Sequence, residues 1–199
     1  MKIKHALILA AGRGSRLMPL TIDNPKPLTP YLNSTLIGVG IDKLKKKIPN
    51  IHITVGYKAP MVSEYVAQFG VSTIINTTEY GNAWFLFGSL LKHLNEPVLV
   101  LTCDNVTELN FDFFQDQYES RGEPACMLVP ISPVKGITGD FIEEKKYYVS
   151  KVGRDISTPF YCTGIQVLNP YKINQLVETT DNFYDIWNLS DLRFWSQRI

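Results

Sequence analysis

Short apolar runs alternate with amphipathic segments through the first two thirds of the chain. The apolar runs predict β-strands over residues 7–9, 51–55, 71–75 and 98–102. Between them, apolar residues recur at helical spacing and predict helices over residues 35–47, 60–69 and 82–93. This alternation is typical of an α/β fold with a mainly parallel central sheet flanked by helices.

The last third of the chain has a different pattern. Aromatic and β-branched residues between turn signals predict strands over residues 124–131, 147–152 and 160–168. The run 98–102 is almost purely valine and leucine, which is typical of a central strand that is buried on both faces. Because no repeat, linker or low-complexity segment interrupts the pattern, we expect residues 1–199 to form a single domain.

Composition narrows the class of protein. The chain has 199 residues, 45% of them hydrophobic and 20% charged, which supports one domain with a substantial core. Its formal charge of +1 predicts no general attraction to nucleic acid or to an anionic membrane. Three widely spaced cysteines favour reduced thiols over a disulfide framework or a zinc site. With no signal-peptide pattern and no apolar stretch near the ~20 residues that span a bilayer, a cytoplasmic location is expected.

The loop after the first predicted strand combines glycine with fixed positive charge. Gly12 and Gly14 allow a tight bend that brings backbone N–H groups against phosphate oxygens. Arg13, Arg16 and Lys26 add cations, and this mixture suits a polyphosphate better than a neutral ligand. The residues predicted to contact a nucleotide here are Leu9, Ala10, Ala11, Gly12, Arg13 and Gly14.

A second candidate group follows the strand over residues 98–102. Asp104 and Asn105 come directly after it, and ligands of open α/β sheets bind at the carboxyl ends of the strands. An isolated aspartate after a strand is more often the cap of a turn. Paired with the glycine-rich loop, Asp104 is instead predicted to lie in the ligand site.

The details of the first loop exclude two common nucleotide loops. Leu17 stands where a dinucleotide-binding loop has its third glycine, and the Gly-Lys-Ser/Thr end of a Walker loop is absent. Residues 12–17, 19–21 and 24–27 instead resemble the signature of the sugar-1-phosphate nucleotidyltransferases. The resemblance implies a Rossmann-like nucleotide-diphospho-sugar transferase fold. It also implies transfer of a nucleoside monophosphate from a nucleoside triphosphate to a phosphorylated small-molecule acceptor, with release of pyrophosphate.

The same resemblance implies roles for individual residues. Arg16 would grip the β- and γ-phosphates, and Lys26 would bridge the region of the α-phosphate. Asp104 would hold Mg²⁺, although Cys103 stands where the family has glycine or alanine. Asp185 would supply the second metal carboxylate, in a segment that has Trp-Asn where the family has Gly-Thr.

The family's substrate-binding motifs are matched less completely in this sequence. Glu79, Gly81 and Asn82 would face the base and sugar of the nucleotide, in a loop that looks more like the phosphocholine cytidylyltransferase branch. The family's Glu-Lys-Pro motif is absent, so the cation for the acceptor phosphate is expected to be Arg154 first or Lys151 second. The other predicted acceptor residues are Asn105, Thr163 and Gly164.

Several alternatives stay open at this stage. A phosphocholine-type or other non-sugar cytidylyltransferase would use the same chemistry. The departures at Cys103, Gly153 and Trp187 also allow a nucleotide-binding domain without catalysis. The spacing between Arg16 and Lys26 is longer than in molybdopterin-type nucleotidyltransferases, which counts against that class. The base, the acceptor and a homo-oligomeric state are not fixed by the sequence.

Overall fold

The computed structural model describes residues 2–80, 84–133, 139–146 and 148–177. The strands are β1 (His5–Ala10), β2 (Pro30–Tyr31), β3 (Ser34–Thr35), β4 (Asn50–Val55), β5 (Thr73–Asn76), β6 (Val98–Thr102), β7 (Cys126–Ile131), β8 (Phe141–Lys145), β9 (Tyr148–Gly153) and β10 (Tyr161–Leu168). The helices are α1 (Leu36–Lys45), α2 (Ala59–Ala67), α3 (Trp84–Phe87), α4 (Phe111–Ser120) and α5 (Pro170–Val177). The main sheet has the order β5-β4-β1-β6-β10-β8-β9, and β7 also pairs with β10.

The first half of the sheet is parallel. Strand β1 lies between β4 and β6, so that Ile8 is opposite Ile53 on one side and Leu101 on the other. Val98 and Leu99 are fully buried, which confirms β6 as a central strand covered on both faces. Because parallel strands end at the same edge, the loops after β1, β4 and β6 lie side by side.

The second half of the sheet is antiparallel. Strand β10 pairs with β6 and β7 in antiparallel register, and β8 forms an antiparallel pair with β9. The predicted α/β fold is confirmed, and each predicted strand is found within two residues of its expected bounds. Strands β2, β3 and β8 and helices α4 and α5 were not predicted. Strand β8 was missed because Glu143, Glu144 and Lys145 give it the polarity of a loop.

Helices cover both faces of the sheet. Residues of α1, α2 and α4 pack with the parallel strands into one buried cluster, whereas residues of α3 and α5 belong to a second cluster on the other face. Thr35 caps the start of helix α1, because its hydroxyl oxygen accepts a hydrogen bond from Gly38 N at 3.0 Å. In the part of the chain described, no helix has the length and apolar character needed to cross a bilayer.

The prediction of one helix over residues 82–93 is wrong. Helix α3 ends at Phe87, and a short 3-10 turn covers Leu90–His93. The interruption lies at Gly88, where an added Cβ would come within 2.1 Å of the Trp84 ring. Ser89 then caps the 3-10 turn, because its hydroxyl accepts from Leu91 N at 3.1 Å and donates to Phe85 O at 2.6 Å.

A stacked histidine pair lies near the amino ends of the parallel strands. His5 Nδ1 and His52 Nε2 are 3.0 Å apart, and their rings are inclined by 7°. His52 Nδ1 lies 2.6 Å from Thr73 Oγ1, and His5 Nε2 lies 3.8 Å from Glu96 Oε2. Burial, and to a lesser degree the charge of His5, lowers the pKa of His52 to about 4. Burial also lowers the pKa of His5, so both rings are neutral at pH 7.

Candidate active site

The glycine-rich loop, residues 11–24, bends sharply at Gly14. This residue has φ 70° and precedes a 3-10 turn over Ser15–Leu17. The buried Thr21 side chain donates to Gly14 O at 2.9 Å and closes the loop. A Cβ at position 14 would lie 2.7 Å from Lys26 Cβ. Glycine is therefore required both by the left-handed backbone and by the approach of Lys26.

The residues that lead into this loop are held by neighbouring strands. Leu9 O accepts from Cys103 N at 3.1 Å, and Ala10 N donates to Thr54 Oγ1 at 3.2 Å. Gly12 is exposed, and nothing lies within 4 Å of a Cβ built there. The backbone at Gly12 is therefore open to a ligand, while the residues before it are fixed to the sheet.

Lys26 and Asp104 meet at the carboxyl edge of the sheet. Lys26 Nζ donates to Asp104 Oδ2 at 2.6 Å, across 78 residues of sequence. Burial raises the pKa of Asp104, but hydrogen bonds from Lys26 and Thr102 and the charge of Lys26 outweigh it, so this pKa is lowered. Burial raises the pKa of the adjacent Cys103 to about 12. The site therefore holds an ionised carboxylate beside a neutral thiol.

The two arginines of the loop differ in their surroundings. The Arg13 guanidinium lies over the Tyr57 ring, 5.2 Å from its centroid. Arg16 is exposed in the 3-10 turn. Within the described residues no hydrogen bond or ion pair engages Arg16, so its charge is available to an anion at this edge.

Strand β10 joins the site through Asn105. The Asn105 amide donates to Thr102 Oγ1 at 2.9 Å and to Thr163 O at 3.1 Å. Gly164 has φ 74°, and a Cβ there would meet Thr102 Cγ2 at 3.2 Å. The Thr163 hydroxyl donates to Val129 O at 2.6 Å. Of the predicted acceptor residues, Asn105, Thr163 and Gly164 therefore meet at Thr102, two residues before Asp104, with the Asn105 amide and the Thr163 hydroxyl engaged within the protein.

The two candidate cations for the acceptor phosphate are each paired with a carboxylate. Lys151 Nζ lies 2.5 Å from Asp155 Oδ2, and Arg154 Nε donates to Asp140 Oδ1 at 3.0 Å. Asp140 is tied to the start of β10, because its carbonyl accepts from Cys162 N at 2.8 Å. Arg154 is thus connected to the end of β10 that extends past the carboxyl edge of β6.

Some predicted residues cannot be compared with the structure. Gly81, Asn82 and Asp185 lie outside the described residues. Glu79 is exposed in the turn that follows β5. Sequence reasoning missed one further pair at this edge, Tyr57 and Lys58, although both directly follow the predicted strand 51–55 and share its carboxyl end.

One described carboxylate suits a magnesium ion. Among the described residues, no three histidine, cysteine, aspartate or glutamate side chains come together in a way that could hold a metal. Asp104 offers an ionised and partly exposed oxygen donor at the edge of the sheet, with 45% of its side chain accessible. Carboxylate oxygen is the donor that Mg²⁺ prefers, and this ion commonly takes only one or two protein ligands beside substrate phosphates and water.

Comparisons with known proteins show the family of this chain. Residues 5–138 match the family model described as Nucleotidyl transferase. The chain is 34% identical over 190 residues to a mannose-1-phosphate guanyltransferase of Kluyveromyces lactis, covering 84% of this chain and 50% of that protein. It is 27% identical over 193 residues to mannose-1-phosphate guanylyltransferase 1 of Arabidopsis thaliana, covering 86% and 51%. The chain therefore spans about half the length of these curated relatives.

A solved structure extends the comparison to the fold. The CTP:phosphocholine cytidylyltransferase from Streptococcus pneumoniae matches with a TM-score of 0.70 at 20% identity, covering 98% of this chain and 85% of that one. The mixed sheet is thus shared with a structure of low sequence identity. The family match includes the glycine-rich loop, Lys26 and Asp104, which confirms the resemblance drawn from the sequence. This chain belongs to the nucleotidyl transferase family.

Proposed function

We propose that this chain transfers a nucleoside monophosphate from a nucleoside triphosphate to a sugar 1-phosphate and releases pyrophosphate. The observation that carries the proposal is the contact of Lys26 with Asp104 at 2.6 Å, at the edge where the glycine-rich loop leaves β1 and Gly14 approaches Lys26. A cation, a carboxylate and an exposed glycine-rich loop at one sheet edge match the needs of phosphoryl transfer.

The reaction needs no nucleophilic side chain. An oxygen of the acceptor phosphate attacks the α-phosphorus, a new P–O bond forms, and the bond to the β-phosphate oxygen breaks with its electron pair leaving on pyrophosphate. The acceptor phosphate is already ionised near neutral pH. Catalysis therefore consists of aligning two anions that repel each other and neutralising the charge that moves.

Two cations in and next to the glycine-rich loop neutralise the charge on the phosphates. Arg16, exposed in the 3-10 turn, binds the β- and γ-phosphates and stabilises the departing pyrophosphate. Lys26 is held at the edge by its contact with Asp104 and binds near the α-phosphate. Asp104 and Asp185 would hold Mg²⁺, which when bound neutralises further charge on the phosphates.

For the acceptor we propose Arg154 as the cation. Its partner Asp140 is bonded to the start of β10, next to Thr163 and Gly164. Lys151 instead lies in β9 and pairs with Asp155, so its ion pair does not connect it to β10. A guanidinium can keep one N–H on Asp140 and still present others to a phosphate. Arg154 therefore binds the acceptor without losing its own carboxylate.

The relatives suggest the first substrates to test. Both quoted relatives are mannose-1-phosphate guanylyltransferases by name, so GTP with mannose 1-phosphate heads the panel. CTP with phosphocholine is included because a cytidylyltransferase for that acceptor shares the fold. UTP, ATP and dTTP with glucose 1-phosphate complete the set.

The test is release of pyrophosphate in the presence of Mg²⁺. Release that requires one nucleotide and one sugar 1-phosphate is the expected result, and it should fall at least about 100-fold in Asp104→Asn. Asp112→Asn, an exposed aspartate in the first turn of α4, is the matched control and should keep full activity. Folded protein that is silent with every pair contradicts the proposal, and release with phosphocholine alone moves it to the cytidylyltransferase class.

A further inference from the structure

The turn after β4, residues 56–58, contacts the start of the glycine-rich loop. Tyr57 N donates to Ala11 O at 2.9 Å. Gly56 approaches the same carbonyl so closely that an added Cβ would lie 2.7 Å from Ala11 O. The loop therefore leaves β1 against the backbone of this turn.

The same turn also contacts the far end of the loop. Lys58 Nζ donates to Ile22 O at 2.7 Å and to Asp23 O at 2.6 Å. The Tyr57 hydroxyl donates to Ile22 O as well, at 3.3 Å. Two adjacent side chains thus bind carbonyls eleven and twelve residues beyond Ala11, and they close the loop from the side of the neighbouring strand.

The Tyr57 ring also contacts Arg13, which lies within the loop. The guanidinium carbon of Arg13 lies 5.2 Å from the ring centroid, within the range in which a cation is attracted to an aromatic face. An exposed arginine has many rotamers, and this contact favours one direction. Tyr57 therefore orients a side chain that we assign to the nucleotide phosphates.

The backbone of Lys58 is itself unusual. It has φ 52° and ψ 41°, and it precedes α2 without a side-chain cap. A left-handed conformation is unfavourable for a residue with a Cβ, and glycine would adopt it without strain. A lysine at this position is strained, and what its side chain provides in return is the pair of bonds to the Ile22 and Asp23 carbonyls.

We propose that Tyr57 and Lys58 are positioning residues that hold the glycine-rich loop in its phosphate-binding shape. Tyr57 aims Arg13, and Lys58 fixes the end of the loop just before Lys26. The proposal rests on the proposed function for the identity of the ligand, a nucleoside triphosphate. The contacts themselves can be tested without any substrate.

The first test is hydrogen exchange of the whole protein with Lys58→Gly. This variant removes both lysine bonds and relieves the backbone strain, so loop amides such as Leu17 N and Ile22 N should exchange about tenfold faster while the melting temperature is not lowered. Lys146→Gly is the matched control, because Lys146 is an exposed lysine with φ 53° far from the loop in sequence. Unchanged loop exchange in Lys58→Gly overturns the role of Lys58.

The second test separates orientation of Arg13 from simple stability. Tyr57→Leu should raise KM for the nucleoside triphosphate about threefold to fivefold and leave KM for the acceptor unchanged, whereas Tyr57→Phe, which keeps the ring, should restore most of the loss. In an Arg13→Ala background the effect of Tyr57→Leu should disappear. Tyr65→Phe, which loses a hydroxyl contact with Ser34, controls for the loss of a hydroxyl elsewhere.

The outcomes distinguish the two proposals. Equal rises in both KM values, or the same loss with and without Arg13, overturn the role of Tyr57 while the proposed reaction stands. If the wild-type chain releases no pyrophosphate, the proposed function fails. The exchange experiment then still decides whether the turn after β4 holds the loop, and nucleotide affinity measured by calorimetry replaces KM.

Discussion

The parallel and antiparallel halves of the sheet differ in where they place the cations that we assign to the substrates. In the parallel half, Arg16 is exposed without a carboxylate partner among the described residues, and Lys26 meets Asp104 at the edge where ligands bind. In the antiparallel half, Lys151 and Arg154 are each paired with a nearby carboxylate. Arg16 and Lys26 thus lie at the edge where ligands bind, whereas Lys151 and Arg154 are held in ion pairs within the antiparallel half.

The two halves also differ in how well their site residues can be recognised from the sequence. The nucleotide side is one continuous loop between β1 and Lys26, so its residues keep a fixed spacing. The acceptor side is assembled from β9, β10 and the residues between them. Its positions depend on strand pairing, and the Arg154 contact with Asp140 could not be inferred from spacing alone.

The largest expected effect compares one lysine from each half. Lys26→Met should lower kcat/KM at least about 100-fold, because it removes a cation from the transferring phosphates and leaves Asp104 without its partner. Lys151→Met should stay within about twofold, since its exposed ion pair with Asp155 contributes little. Steady-state pyrophosphate release measures both. Similar losses in the two variants would break the contrast between the halves.

A second test asks whether acid weakens the parallel half. Burial holds the pKa of His52 at about 4, below the value near 6.5 expected in an unfolded chain. Between these values the unfolded chain binds more protons, so the free energy of unfolding falls as pH falls. We expect a loss of about 2 kcal/mol between pH 7 and pH 5 from this group.

Urea unfolding at the two pH values checks this expectation. His52→Gln should remove most of the pH dependence, whereas His93→Gln, at an exposed histidine of the 3-10 turn, should keep it. Hydrogen exchange at pH 5 should then show opening of β1 and β4 before β9. If the antiparallel half opens first, the acid-sensitive region has been assigned to the wrong half.

A smaller effect is expected for the acceptor cation. Arg154→Gln should raise KM for the acceptor about tenfold and leave KM for the nucleotide unchanged, because one charge-assisted contact to a phosphate is lost. Asp140→Asn should have a weaker effect in the same direction, since it only loosens Arg154. A rise in the nucleotide KM instead would show that Arg154 serves the other substrate.

The smallest effect concerns the left-handed glycines. Gly14→Ala and Gly122→Ala should each cost about 1 kcal/mol of stability from backbone strain. Space around Gly122 is open, whereas a Cβ at position 14 would press on Lys26 Cβ. Gly14→Ala alone should therefore also lower activity, measured by pyrophosphate release beside chemical unfolding. Equal activity in the two variants would show that Lys26 can move without consequence.

Local signals predicted the parallel half well. The strands were apolar enough to be recognised, and the rule that ligands bind at carboxyl ends brought Asp104 to the glycine-rich loop across 78 residues. Strand β8 was missed because a strand with charged side chains reads as a loop. The helix over 82–93 was broken by packing of the Trp84 ring on Gly88, which periodicity does not reveal.

The turn after β4 illustrates a further limit. Tyr57 and Lys58 were recognisable as residues at a strand end, but their contacts are with Ala11 and with carbonyls of Ile22 and Asp23. Backbone carbonyls carry no sequence signature. Side chains that bind them are therefore identified only when the fold brings the two segments together.

In the free protein, the positive charge of Lys26 and the negative charge of Asp104 neutralise each other. With the lysine close to the carboxylate, the ammonium stands where a divalent cation could neutralise Asp104, and the carboxylate stands where a phosphate could neutralise Lys26. When a ligand binds, Asp104 exchanges Lys26 for a cation and Lys26 exchanges Asp104 for a phosphate. Neither side chain is then left with an unneutralised charge. The free protein keeps its electrostatic balance, and a nucleotide that binds together with a divalent cation can replace the pair without leaving one member uncompensated.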